Sequence, residues 1–324
     1  MQESQKPRVL IVHDKPETYL AHLKDRFPEV FFDTCVEPDA LVASLARARP
    51  NIVFSVKCRG IPGPAHVPLM SAEGVEWVQV GGAGIDHLPN WNQASVTVTN
   101  CAGVLSGFLA ETVIGAILML NFGFPAYLRQ QRAKLWQQIP WQTVSEKTLL
   151  VVGLGSIGRQ VAQRAKALGM HVVGASRSPT ASPYVDESVP LESLSDGLRN
   201  ADFVTLHVPM NASTRDLIGA GELAAMKSDG ILINTSRGGV VDEAALTSAL
   251  QTREIAGAYL DVFQTEPLPA ESPLWDLENA VLTPHVSDAV DDWADRYAAF
   301  FAENLEKWLT GAPLENLVQS PKHP

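Results

Sequence analysis

Cysteine is scarce: Cys35, Cys58 and Cys101 are the three in 324 residues, and no CxxC spacing occurs. Single, widely spaced thiols cannot build a disulfide framework and give no ligand spacing for a zinc site, so no metal is expected, and they suit a reducing cytoplasm. Long hydrophobic runs are also missing. The longest tempting one, residues 113–120, is far short of the roughly 20 residues that span a bilayer. The run Arg8-Val9-Leu10-Ile11-Val12 already reads as a strand, which leaves no room ahead of it for a signal peptide. The expectation is a cytoplasmic chain with no membrane partner. Basic residues are outnumbered, 25 Lys and Arg against 36 Asp and Glu, for a net charge of −11. Without a basic face, nucleic acid is excluded as a partner. Repeats and low-complexity stretches are absent too.

What is present is a globular composition, 46% hydrophobic and 19% charged, in a chain long enough for two domains of common size. Strand-like and helix-like stretches alternate. Strands are expected over residues 9–12, 30–36, 51–56, 76–80 and 96–100, with helices over 17–27 and 39–48. A second series of six strands is expected over 148–153, 171–176, 203–208, 230–236, 255–262 and 280–284. Alternation of this kind implies βαβ units and mostly parallel sheets, and six strands match a dinucleotide-binding sheet. Between the two series lie helical stretches 106–121 and 124–137, broken at Gly123 and Pro125. The last helix, expected over 288–309, carries Val290, Trp293, Ala294, Tyr297, Phe301, Leu305 and Trp308 on one apolar stripe, so it packs on something.

The glycine motif is the first chemical signal. Gly153-Leu154-Gly155-Ser156-Ile157-Gly158 stands between an expected strand and an expected helix. Gly153 permits the tight turn, Gly155 lets a pyrophosphate approach the backbone, and Gly158 lets helix and strand pack closely. The helix start then offers free N–H groups to the phosphates. The next strand ends in Ser176-Arg177-Ser178, with no acid to take ribose hydroxyls. A guanidinium flanked by hydroxyls suits a 2′-phosphate, so NADPH or NADP is expected ahead of NADH or NAD. In an acidic protein such anions must be held by local arginines and backbone amides, which dominate within a Debye length of about 8 Å.

A second constellation falls at the ends of the last three strands: Asn234-Thr235-Ser236-Arg237, Asp261-Val-Phe-Gln-Thr-Glu266 and Leu282-Thr-Pro-His285. Ligands of open α/β sheets bind beyond the carboxyl ends of strands. A 2-keto acid presents a carboxylate that Arg237 can hold in a planar fork. Hydride arriving at the carbonyl carbon develops alkoxide charge, and His285 can protonate that oxygen. Glu266 on the other ring nitrogen would orient the imidazole and favour its charged form.

With these residues in place, the chain resembles the D-isomer-specific 2-hydroxyacid dehydrogenase family over essentially its full length. The resemblance rests on Gly82-Ala83-Gly84-Ile-Asp86, Ala110-Glu-Thr-Val, Gly153 to Gly158, Asn234 to Gly239, Gly257-Ala-Tyr-Leu-Asp261-Val-Phe, Pro273-Leu-Trp275 and Thr283-Pro-His285, in that order. Ser176-Arg177-Ser178 and Pro273-Leu-Trp275 are similar to the glyoxylate and hydroxypyruvate reductase branch. The resemblance implies an α/β protein of two Rossmann-like or flavodoxin-like domains with parallel sheets. The cofactor domain, residues 101–285, would be inserted into a substrate domain of residues 1–100 and 286–324. It further implies hinges near residues 100–103 and 285–288, an active site in the cleft between the domains, and a homodimer joined by a helical arm over 104–145. By position it assigns Asp261 to the nicotinamide amide and His207, Pro209, Thr214, Thr235, Ser236 and Ser287 to the cofactor lining. The backbone amides of Ala83 and Gly84 would grip the substrate carboxylate, together with Arg237 and His285.

Some residues stay open. Trp136 and Trp141 in the arm either reach a neighbouring active site or pack in core or interface. Lys57 reads as a solvated lysine just after a strand. Val286-Ser287-Asp288 departs from the small residues and glycine usual after the histidine, and alters the pocket there. Two other functions are weighed. A formate dehydrogenase of this fold carries glutamine where this chain has Glu266, and needs no general acid. A nucleotide-sensing corepressor of the superfamily keeps the triad, but this chain lacks added tails for partner motifs.

Overall fold

The structure, a computed structural model, describes residues 6–178 and 182–320. In chain order its first elements are β1 (Arg8–Val12), α1 (Glu17–Leu23), β2 (Phe31–Cys35), α2 (Leu41–Ala48), β3 (Ile52–Val56), β4 (Trp77–Gly81) and β5 (Thr97–Asn100). Next come α3 (Ser106–Asn121), α4 (Phe124–Arg132), β6 (Thr148–Val152), α5 (Ser156–Ala167), β7 (His171–Ser176), β8 (Glu187–Pro190), α6 (Leu194–Asn200) and β9 (Phe203–Leu206). The remainder is α7 (Ala220–Ala225), β10 (Ile231–Asn234), α8 (Glu243–Gln251), β11 (Gly257–Leu260), β12 (Ala280–Leu282), α9 (Trp293–Thr310) and β13 (Leu317–Val318). Two compact units result: Met1–Leu105 with Val290–Pro324, and Ser106–Ala289.

The first unit holds a six-stranded sheet in the order β13-β5-β4-β3-β1-β2, parallel except at β13. Its five parallel strands follow the flavodoxin-like winding, with connections reversing between β1 and β3. β3 is buried at every position, as a strand covered on both faces must be. One cover is α9. Phe301 stacks on Phe54 at 4.6 Å and on Trp77 at 5.4 Å, and Trp77 stacks on Trp308 at 5.4 Å. The buried indole N–H of Trp77 donates to Thr99 Oγ1 (2.8 Å), whose hydroxyl donates to Gln79 Oε1 (2.7 Å). Asn304 of α9 donates to the same Gln79 oxygen at 3.0 Å, tying helix to sheet.

The second unit carries a seven-stranded, all-parallel sheet, β12-β11-β10-β9-β6-β7-β8. This is the doubly wound dinucleotide-binding order with one more strand at β12, and the winding reverses between β6 and β9. Leu150, Val204 and Leu232 face one apolar layer, while Leu149, Val151 and Ile233 face another built on α3 and α5.

Several expected elements are corrected. The second sheet has seven strands rather than six: β8 reads Glu-Ser-Val-Pro, three of its four residues exposed, so it has no apolar pattern to detect. β13 is a two-residue antiparallel edge. α1 stops at Leu23, four residues early; residues 24–26 continue as turns, and Pro28 disfavours helical backbone at Phe27. The first turn of the second helix is 3-10, Pro38–Ala40. α4 stops at Arg132, where Lys134 adopts a left-handed φ of 54°. α9 starts at Trp293 rather than 288, because the chain from Val286 to Ala289 is taken up in a turn, with the Ala289 amide on Val286 O at 3.0 Å.

Among the described residues no single helix is long and apolar enough to cross a membrane.

Candidate active site

The sequence-predicted residues of the second unit follow the carboxyl ends of β6, β7, β9, β10, β11 and β12, all on one edge of a parallel sheet. At β6 the chain turns at Gly153 with φ +97°, where a side chain is strained and a Cβ would stand 2.6 Å from His207 O. Gly155 caps α5 in an extended conformation, with open space where its Cβ would be. A Cβ on Gly158 would meet Gly153 O at 1.9 Å, so only glycine lets α5 lie this close to the turn. Ser156 and Ile157 open α5, Leu154 is buried, and Arg159 Nε donates to Leu154 O at 2.9 Å. The backbone is thus shaped for a pyrophosphate, with a helix start aimed at it.

Three polar atoms around this turn are buried without a hydrogen-bond partner: Ser176 Oγ, His207 Nε2 and Thr235 Oγ1. Each such atom costs about 1–3 kcal/mol if nothing satisfies it. Orphans at the ends of β7, β9 and β10 are what a polar ligand along this edge would satisfy, so the residues fit a dinucleotide. Burial pushes the His207 imidazole down to about 3, which keeps it neutral. Arg177 and Ser178 are exposed just past β7. Pro209 is exposed, and Thr214 is spent within its own loop, its hydroxyl donating to Pro209 O at 2.6 Å.

Arg237 follows β10 in a loop braced by Asn234. Asn234 Oδ1 accepts from Ser236 N (3.0 Å) and Ser236 Oγ (2.8 Å), and its Nδ2 donates to Arg237 O at 3.1 Å. Arg237 donates to Ser236 O at 2.8 Å. The loop rests on the segment after β11: a Cβ on Gly238 would fall 1.9 Å from Phe263 C. That segment presents Glu266, whose Oε1 accepts from Phe263 N at 3.1 Å. Its Oε2 lies 2.8 Å from His285 Nδ1. His285 itself adopts φ +53°, a left-handed conformation uncommon outside glycine. Its amide is held by Asp261 O at 2.9 Å.

Asp261, 1% exposed, organises this corner. Its Oδ1 accepts from Thr283 Oγ1 (2.5 Å) and Val286 N (2.9 Å), and its Oδ2 from Ser287 N (3.0 Å). Thr112 of α3 donates to Ser287 O at 3.1 Å. The carboxylate thus fixes the turn that carries His285. The hydrogen bond to Glu266 raises the His285 imidazole above its ordinary value, against burial and the repulsion of Arg237. Burial also raises Asp288, opposed by the charges of His285 and Arg237.

Sequence reasoning missed Gly238, Asn234 and Thr283 as positioning residues. The doubled glycine after Arg237 was the available signal for the first. In the other unit, Ala83 and Gly84 follow β4 past Gly82, which has φ +89°. Asn100 Nδ2 donates to Ala83 O at 2.7 Å and holds the loop. Lys57 is exposed. Trp141 packs against Phe122 at 5.0 Å, whereas Trp136 is 99% exposed.

Comparison with known proteins places this geometry. Residues 114–287 match the family model for the D-isomer specific 2-hydroxyacid dehydrogenase NAD binding domain. The glyoxylate reductase of Korarchaeum cryptofilum is 33% identical, over 97% of this chain and 96% of its own length. The D-3-phosphoglycerate dehydrogenase of Methanocaldococcus jannaschii is 35% identical over 78% of this chain, which spans only 49% of that longer protein. The crystal structure of the NADPH-dependent glyoxylate/hydroxypyruvate reductase of Sinorhizobium meliloti, in complex with NADP and sulfate, superposes with a TM-score of 0.81. It is 26% identical and covers 97% of this chain and 98% of its own. The fold is therefore that of a two-domain Rossmann-type oxidoreductase. The chain belongs to the D-isomer-specific 2-hydroxyacid dehydrogenase family.

Proposed function

We propose that this protein is an NADPH-preferring reductase of small 2-keto acids, of the glyoxylate and hydroxypyruvate type, yielding D-2-hydroxy acids. The observation that carries the reading is the 2.8 Å contact between His285 Nδ1 and Glu266 Oε2 on the same sheet edge as Arg237. A nicotinamide dinucleotide, its pyrophosphate at the Gly153 to Gly158 turn, would supply hydride to the carbonyl carbon. Ser176, Arg177 and Ser178 would hold its adenosine end, and His207, Thr235, Ser236 and Ser287 would line the remainder.

Arg237 holds the substrate carboxylate in a bidentate pair, helped by the backbone amides of Ala83 and Gly84. With Nδ1 engaged by Glu266, His285 presents Nε2 as its proton donor. It gives that proton to the carbonyl oxygen as charge develops there, so that hydride and proton together add across the C=O bond. Glu266 stabilises the imidazolium before transfer and fixes the ring. Asp261 acts through the turn it braces. The proposal includes a homodimer joined by the arm, on which Phe124, Leu128, Leu135 and Trp136 are 49%, 53%, 59% and 99% exposed.

The test is NADPH oxidation with glyoxylate, hydroxypyruvate and pyruvate, repeated with NADH, and chiral analysis of the product. Turnover with a higher kcat/KM for NADPH and a D product is expected. Cofactor binding without turnover of any 2-keto acid would replace this reading with a nucleotide sensor.

A further inference from the structure

Away from the residues discussed so far, the first unit gathers three metal-ligating side chains. A ring nitrogen of His13, a carboxylate oxygen of Asp14 and the thiol sulfur of Cys58 lie within 4.8 Å of one another. His13 and Asp14 directly follow β1, and Cys58 follows the adjacent parallel strand β3, so both come off the same carboxyl edge of the sheet. We propose that His13, Asp14 and Cys58 form a binding site for a zinc-type divalent cation.

The geometry supports ligation. His13 Nδ1 stands 3.3 Å from Asp14 Oδ1 and accepts the Lys15 amide hydrogen at 3.0 Å. The Lys15 amide hydrogen occupies the Nδ1 lone pair, and a cation at Nδ1 takes the place of that hydrogen bond. The imidazole is 4% exposed and clamped edge-on by Tyr19 at 5.2 Å and by Trp293 at 5.9 Å, so its orientation is set. Gly60 brings the second strand's loop in: a Cβ there would lie 2.5 Å from Asp14 Oδ2, so any larger residue would push the Cys58 loop off the carboxylate. Ligands of a tetrahedral zinc site, at about 2.0–2.3 Å from the metal, stand roughly 3.3–3.8 Å apart.

The ligand set also selects the ion. One nitrogen, one oxygen and one sulfur exclude the all-oxygen shells of magnesium and calcium and suit zinc or cobalt, with water in the fourth position. Cys58 loses its thiol proton to solvent on binding. The carboxylate and thiolate then neutralise the divalent charge, which a half-buried site requires. The loop carrying Ala83 and Gly84 leaves β4 at the same edge of this sheet.

The experiment is titration of the full-length, metal-free protein with cobalt(II) chloride, followed by competition with zinc chloride. One equivalent is expected to produce the visible bands of tetrahedral cobalt and a near-ultraviolet thiolate-to-cobalt band, both erased by zinc. Cys58→Ser should abolish the thiolate band, and His13→Gln should weaken binding at least tenfold. Cys35→Ser should leave the spectrum unchanged, and circular dichroism checks that each variant is folded. Absence of stoichiometric binding, or a thiolate band that survives Cys58→Ser, would overturn the proposal.

Discussion

His285 decides how the proposed chemistry responds to pH. The protonated imidazole is the form that can donate a proton to the carbonyl oxygen in the proposed reduction, and the hydrogen bond to Glu266 raises its value. Reductive kcat is thus retained at low pH and falls as pH climbs through the elevated value. Glu266→Gln removes the stabilising charge, so that falling limb moves to lower pH; a pH profile of both proteins measures the shift. His285→Gln removes the proton donor itself and is expected to lower kcat by about 10²–10⁴-fold while leaving NADPH affinity, read by fluorescence titration, nearly unchanged. Arg177 is the residue proposed to select the cofactor. Charge-assisted bonds to a phosphate are worth about 1.5–3 kcal/mol, so Arg177→Asp should lower kcat/KM for NADPH roughly 10- to 100-fold and favour NADH. Equal selectivity before and after would remove Arg177 from that role.

At the scale of elements, close backbone approach and buried charge matter more than helix or strand propensity. The loop after β10 lies on the segment after β11 because Gly238 has no side chain. Gly238→Ala must push these loops apart, with an expected cost of about 1–3 kcal/mol for overpacking. Arg237 and Glu266 would separate with them, so both the thermal midpoint and kcat should drop together. Asp202, 7% exposed, ties β9 to its neighbours. Burial alone would raise its carboxyl, but Lys227 at 2.5 Å, the Thr148 amide at 2.7 Å and Lys147 at 3.5 Å hold it below the usual range. The stability it supplies is present above the unfolded carboxyl value and disappears as pH falls through the lower folded one. Asp202→Ala should cost about 1–3 kcal/mol at neutral pH, and the difference from wild type should shrink in acid denaturation curves.

For the whole molecule, the prediction concerns assembly. Ala110, Val113 and Ile117 of the arm enter the core of their unit, while Phe124, Leu128, Leu135 and Trp136 lie exposed. Leu135→Glu combined with Trp136→Ala is expected to convert the proposed dimer to a folded monomer, read by light scattering coupled to size exclusion. A double variant that elutes unchanged would move the interface elsewhere.

The alternation of strands and helices, the glycine turn and the Arg237, Glu266 and His285 set were legible from residues 8 to 310 because each depends on local pattern or on a motif of fixed spacing. Edge strands such as β8 were not, since an exposed strand carries no apolar period. Nor was the turn held by Asp261, because hydrogen bonds to residues 283–287 depend on two strands becoming neighbours. The same holds for His13, Asp14 and Cys58, whose separation in the chain gave no ligand spacing and whose meeting is made by the pairing of β1 with β3. Sequence alone determined which local structures form and which chemical groups are available. Tertiary structure decided which of those groups meet, because sheet order brings together residues whose distance along the chain carries no information about their distance in space.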